Sequence, residues 1–189
     1  MGGSVMASII NATTTGLTVT PDNSGQLTLS ANGVTALTAN TAGNINFAKQ
    51  PTIGGVEWPA FSVYPTGSQT LSTNTLTKVT WDTEVFDTNN NFASSRFTPT
   101  VAGYYLINAL VNVNSSYCRI YLAVYKNGSL YHTGPDSGSS SVGAMPITDI
   151  VYLNGTTDYI EMYAQFGTGQ NISNSNLYTW FNGCLLRAA

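Results

Sequence analysis

Three runs of this chain alternate between two faces with a period of two. Over 104–111, Tyr105, Ile107, Ala109 and Val111 share one face of an extended strand, and Tyr104, Leu106 and Leu110 share the other. Over 119–125, Ile120, Leu122 and Val124 oppose Tyr121, Ala123 and Tyr125. Over 159–166, Ile160, Met162, Ala164 and Phe166 oppose Tyr159 and Tyr163. A helix brings side chains back to one face every ~3.6 residues, so these runs read as strands. Long apolar patterns of helical period are absent, and Thr, Val, Tyr and Phe dominate the runs, as they do in strands. Further strand-like runs occupy 61–64, 77–81, 96–98, 147–153 and 177–186, with Gly, Asn and Pro between them. The pattern predicts an all-β jelly-roll or two-sheet sandwich head.

The aliphatic face of each alternating run is a core. The opposite face repeatedly presents Tyr, whose apolar body and polar tip suit an interface. A monomer seldom exposes so contiguous an apolar surface. The expected subunit interface therefore comprises Tyr104, Leu106, Leu110, Tyr121, Tyr125, Tyr159 and Tyr163.

The first part of the chain differs in texture. Up to Phe47 it holds one charged residue, Asp22, and no aromatic before Phe47. Short Thr-rich strands (17–20, 26–30, 34–38 and 44–47) are cut by turns such as Asp22-Asn23-Ser24-Gly25 and Asn32-Gly33, where Gly supplies the backbone a tight turn needs. Each strand carries only one or two large apolar side chains, too few to offset the ordering entropy of a single copy. The expected organisation is a stalk or attachment segment over 1–48, with a disordered linker as the alternative, a hinge over 49–57 marked by Pro51 and Gly54-Gly55, and the head over 58–189.

Charge narrows the function classes. Only 8% of residues are charged, the net charge is −3, and the six basic residues stand singly. No patch could displace counterions from phosphates, which argues against nucleic acid. No stretch is long and apolar enough to span a bilayer, and the first residues lack the basic and apolar segments of a secretory signal. Neutral hydroxyls and amides stand in for the missing charges, which fits an extracellular particle or fibre.

Catalytic groups are scarce. His132 is the single histidine, so multi-histidine metal sites are excluded and no oriented nucleophile partners it. Ser139-Ser140-Ser141 lacks the glycines of a nucleophile elbow. The acidic residues Asp82, Glu84 and Asp87 are the one weak calcium candidate, with strand-end solvation beside Lys78 and Arg96 as the alternative. No other cofactor is expected, and no enzymatic activity. Cys118 and Cys184 read as buried free thiols, with a disulfide as the alternative. Tyr117, Tyr131, His132 and Asp136 read as loop residues able to contact a glycan or protein.

Four motifs carry a family resemblance. The first runs from Phe86-Asp87 through Phe92 to Phe97-Thr98-Pro99 and Gly103-Tyr104-Tyr105. The others are Tyr125-Lys126-Asn127-Gly128, the segment from Leu153-Asn154-Gly155 to Asp158-Tyr159-Ile160, and Trp180-Phe181-Asn182-Gly183-Cys184-Leu185-Leu186. In this order across 86–186 they resemble the signature of C1q/TNF-like heads, with Pro99 one position early and Cys184 at the usual aromatic position. The resemblance implies a ten-strand jelly roll that assembles as a homotrimer and recognises ligands through exposed loops. Ala12-Thr13-Thr14-Thr15-Gly16-Leu17, with the segments 22–27 and 32–36, resembles stretches common in tailed-phage structural and fibre proteins. Together these imply a trimeric virion fibre or appendage subunit, attached to other virion proteins through its N-terminal segment. Its head would bind a cell-surface glycan or protein in host recognition. A glycan-degrading enzyme of β architecture and a structural virion component without a ligand are the alternatives.

Overall fold

The computed structural model describes residues 27–31, 34–47, 58–138 and 142–189. The chain divides into two units, Met1–Pro51 and Thr52–Ala189. The described residues of the first form three strands, β1 (Leu27–Ala31), β2 (Val34–Ala39) and β3 (Ile45–Phe47), in one antiparallel sheet of that order. The β2–β3 turn is closed by Asn40, whose Oδ1 accepts from the N–H groups of Ala42 and Asn44 at 3.0 Å. Leu27, Leu29 and Ile45 all remain exposed, so the alternation of this small sheet finds no core there. The expected strand at 17–20, the turns at 22–25 and 32–33, the hinge at 49–57 and the triplet 139–141 lie outside the described residues.

The second unit begins with β4 (Ala60–Tyr64), β5 (Thr70–Leu71), β6 (Thr77–Lys78), β7 (Thr83–Asp87), β8 (Phe92–Ala93) and β9 (Arg96–Phe97). The long strands β10 (Gly103–Asn112), β11 (Ile120–Lys126), β12 (Ser129–Asp136) and β13 (Ala144–Leu153) follow. β14 (Ile160–Phe166), β15 (Gln170–Asn171) and β16 (Trp180–Ala188) complete it. No helix occurs among the described residues. One sheet has the order β13-β10-β16-β4-β7, and the other β12-β11-β14-β9-β8, with β6 also on β14. The all-β jelly-roll expectation is met.

The core lies between the two sheets, where the predicted aliphatic faces meet. Tyr105, Ile107, Ala109 and Val111 of β10 are buried, as are Ile120, Leu122 and Val124 of β11 and Ile160, Met162, Ala164 and Phe166 of β14. At one end the packing is aromatic. Phe61 stacks on Phe97 at 4.3 Å and on Phe92 at 5.1 Å, and meets the edge of Phe181 at 4.9 Å. Tyr105 packs against Phe97, and its hydroxyl donates to the Val101 carbonyl at 2.7 Å. Burial raises the Tyr105 phenol well above its ordinary pKa. The motif residues Phe92, Phe97 and Tyr105 thus earn their spacing by converging on one cluster.

Turns explain two further motif positions. Asn127 and Gly128 both have positive φ, 53° and 77°, and Lys126 pairs with Ser129 across them. That is the backbone of a two-residue hairpin, which Asn-Gly adopts readily. Gly155 has φ 72°, and a Cβ there would lie 2.3 Å from the Ala102 nitrogen. No larger residue fits.

Candidate functional site

The two sheets expose outer faces of different chemistry. On the β13-β10-β16-β4-β7 sheet, β10 supplies the axis of the pattern. Tyr104 stands opposite Tyr152 and Arg187, Leu106 opposite Ile150 and Cys184, and Leu110 opposite Pro146 and Trp180. Ala60 faces Cys184, and Phe86 faces Ser62. Tyr104, Ile150, Tyr152, Leu186 and Phe86 are 39–50% exposed despite their apolar surface. Arg187 is the only charged side chain among these paired positions. A neutral row crosses the middle of the face, with Thr148 donating to Asn108 at 2.9 Å and Asn108 meeting Asn182 at 3.4 Å. Beside Phe86 and Cys184 lies a shallow hollow of about 270 Å³.

The outer face of the other sheet is held together by contacts within the chain, though its cations and rings stay partly exposed. The Tyr125 and Tyr163 rings stack at 3.8 Å, and the Arg96 guanidinium lies 3.7 Å over the Tyr159 ring. Between them Glu161 is almost completely buried, and its Oε1 accepts from Lys78 Nζ at 2.7 Å and Arg96 Nε at 2.9 Å. Burial pushes the Glu161 carboxyl up, but its two cations outweigh burial and hold the pKa below the ordinary value. Tyr163 moves the other way: burial raises its phenol, and the nearby Glu161 charge adds to that.

The seven interface candidates therefore do not form one face. Tyr104, Leu106 and Leu110 lie on the first sheet, Tyr121, Tyr125 and Tyr163 belong to the second, and Tyr159 stands just before β14 with its ring under Arg96. Alternation places each side chain relative to its own strand, and says nothing of which sheet the strand joins.

The ligand candidates are also separated. Tyr131, His132 and Asp136 sit on strand β12, not on a loop. β12 is the edge of its sheet, where Pro135 and the half-exposed Gly134 are tolerated. Tyr131 and His132 rings are 4.1 Å apart, and His132 Nδ1 lies 2.7 Å from Asp149 Oδ2 on β13. An open groove of about 410 Å³ runs beside this pair, between β12 and β13. Asp136 faces Arg119 instead; hydrogen bonds from Arg119, then from the Gly138 N–H, lower its pKa to about 2. Tyr117 lies on the connection between β10 and β11 and is largely exposed.

The acidic residues 82–87 do not gather into a cation site. Asp82 accepts from the Thr66 and Gly67 N–H groups at 2.7 and 2.8 Å. Burial is the largest single influence and raises its pKa, but these donors and the Thr66 and Thr83 hydroxyls together outweigh it and lower the pKa. Asp87 caps the following loop by accepting from Phe92 N–H at 2.7 Å. Glu84 is exposed. No group of three metal-ligating side chains occurs among the described residues. Both cysteines are free; Cys118 is buried, but Cys184 is exposed, because its parity on β16 puts it outward beside Leu106 and Ala60. No helix among the described residues is long and apolar enough to cross a membrane.

No family model matches the chain, and no curated protein does. Solved structures do. The globular domain of zebrafish complement 1qA is 22% identical, with 69% of this chain and 99% of that one covered at a TM-score of 0.52. Murine APRIL at pH 5.0 is 14% identical, covering 68% and 99%, at 0.53. Eiger TNF from S. frugiperda is 9% identical, covering 70% and 94%, at 0.51. At these identities the likeness is one of fold: the head is a C1q/TNF-like jelly roll.

Proposed function

We propose that this chain is a subunit of a homotrimeric fibre or appendage on a virion, and that its head binds a cell-surface ligand without cleaving it. The observation that carries the reading is the outer face of the β13-β10-β16-β4-β7 sheet. Exposed Tyr104, Ile150, Tyr152, Leu186 and Phe86 stand there, with Arg187 opposite Tyr104 and Lys126 5.6 Å from the Tyr152 ring as charged neighbours. Apolar surface of this extent, poor in charge and rich in aromatics, is the composition of an interface core. A closed ring of three joins two unlike patches on each copy. Leu130 and Tyr131 on the exposed β12 edge are suited to be the second.

The fibre role rests on the first unit and on composition. The β1–β3 sheet leaves Leu27, Leu29 and Ile45 exposed, and a sheet so short gains stability by pairing with other copies or docking on other virion proteins. Three head sites acting together raise weak single-site affinity. Binding without cleavage is favoured by the scarcity of catalytic groups: His132 is the single histidine, its Nδ1 lies 2.7 Å from Asp149, and no hydroxyl or thiol is hydrogen-bonded to it among the described residues. Light scattering at micromolar concentration should report three chains per particle, and a chain beginning near Trp58 should keep that stoichiometry. A monomer would sink the reading. Incubation with host polysaccharide should release no new reducing ends; steady release lost in Asp82→Asn or Glu84→Gln would show an enzyme instead.

A further inference from the structure

Among the described residues of the head, ion pairs are one-to-one except at one place. Arg119 pairs with Asp136 and Lys126 with Asp158. Lys78 and Arg96 share the single carboxylate of Glu161. The cluster thus carries an excess positive charge on a protein whose net charge is −3. Both cations keep a solvent-facing part, with side chains 31% and 40% exposed, while Glu161 is 4% exposed. The donors are not used up. Arg96 points Nε and Nη2 at Glu161, and a guanidinium has five N–H groups. Its Nη1 makes no hydrogen bond among the described residues. Lys78 Nζ gives two of its three hydrogens to Glu161 and the Ser94 carbonyl.

Beside these donors lies an aromatic surface. Tyr163 follows Glu161 outward on β14 and stacks on Tyr125, and Tyr159 lies under Arg96. Gln165, opposite Tyr121, extends the face with a neutral amide. We propose that this corner of the second sheet is a binding site for an acidic saccharide, whose carboxylate meets Arg96 and Lys78 while its ring lies against Tyr163 and Tyr125. A ligand carboxylate takes charge-assisted bonds from the unused donors, the strongest hydrogen bonds at hand. Sugar C–H faces cover the tyrosine rings, and Gln165 and the phenols reach its hydroxyls. Inorganic phosphate would leave the rings uncovered, and nucleic acid needs more than one excess charge. The site rests on the reading of the head as a ligand binder, and it stays open when the other sheet is the subunit interface.

The test uses the full chain against immobilised 3′-sialyllactose and a hyaluronan tetrasaccharide, with lactose as the neutral control. Both acidic probes should bind, and lactose about tenfold more weakly or worse, the worth of one good charge-assisted bond. Arg96→Gln leaves Lys78 and Glu161 one-to-one, so it removes the excess charge without stranding the buried carboxylate. It should cost about tenfold in binding to the acidic probes with unchanged stoichiometry. Tyr163→Ala keeps both cations and should also weaken binding, which covers the case in which Arg96→Gln fails to fold. Equal affinity for lactose and sialyllactose, or parental affinity in either folded variant, overturns the site. A trimer that binds lactose but no acidic probe overturns the site and leaves the ligand-binding reading intact. Binding to none of the probes also overturns it, and the trimer's binding to cells then decides the wider reading separately.

Discussion

The two outer faces of the head carry the same residue type to different ends. Tyr104 and Tyr152 look outward from a sheet whose neighbours are Leu106, Ile150, Leu186 and Cys184. Tyr125, Tyr159 and Tyr163 look outward from the other sheet, but Arg96, Lys78 and Glu161 fill the space between them. The first set is covered only in part: Tyr104 packs on Tyr152 at 5.4 Å and Lys126 reaches the Tyr152 ring, yet both rings stay more than a third exposed. The second has already found partners within its own chain. An outward tyrosine therefore reads as interface only where its neighbours leave it uncovered, and that depends on residues distant in sequence.

The difference can be broken most forcefully on the first face. Ile150→Glu or Tyr104→Glu sets a carboxylate in the proposed contact, where an unpartnered buried charge costs several kcal/mol. Each variant should give folded monomers, seen as a drop in scattering mass with unchanged circular dichroism. Continued assembly would move the interface elsewhere.

On the second face the expected effect is on folding rather than assembly. Glu161→Ala strands Lys78 and Arg96 beside one another. Breaking a buried pair costs about 3–5 kcal/mol, and the partial exposure of both cations reduces this to roughly 2 kcal/mol. Urea unfolding should show that loss. A variant as stable as the parent would contradict the ion-cluster account. Tyr125→Ala, which removes one ring of the stacked pair, should cost about 1 kcal/mol beyond its lost burial and leave stoichiometry alone.

Acid gives the smallest and most selective probe. The Glu161 carboxyl is held below its ordinary value of 4.5 in the folded head. A carboxylate with a depressed folded pKa stabilises above its unfolded pKa, and that contribution fades as pH falls through the folded value. Melting should therefore drop below about pH 4.5 in the parent and less steeply in Glu161→Gln. Equal acid sensitivity in the two would assign the effect to other carboxylates.

How much of this was legible beforehand follows burial. β10, β11 and β14 each have one face in the core, so their alternation printed the strands and the core faces directly. The aromatic motif from Phe92 to Tyr105 was equally readable, because its spacing reflects a single buried cluster. β12 looks like a loop in the sequence because it is an edge strand with nearly every residue exposed. No core face imposes a period there, and Gly134-Pro135 mimics a turn. β7 carries a weak alternation for a related reason. Its pairing skips from Glu84 to Phe86 opposite Val63 and Ser62, and this irregularity breaks alternation and turns Phe86 outward. Glu161 had no local signal at all, since its partners at 78 and 96 are brought in by strands from the other end of the head. The separation of the seven interface candidates was illegible for the same reason: sheet membership is a long-range property.

Cys184 tests the central claim most directly. It sits opposite Leu106 and Ala60 on the apolar face and is exposed in the single chain, whereas Cys118 is buried. Thiol labelling of the native protein with a disulfide reagent should leave Cys184 protected at concentrations where scattering reports three chains, and should modify it readily in the Ile150→Glu monomer. Rapid, complete labelling of Cys184 in an intact trimer would show that this face is open and that copies join through another surface.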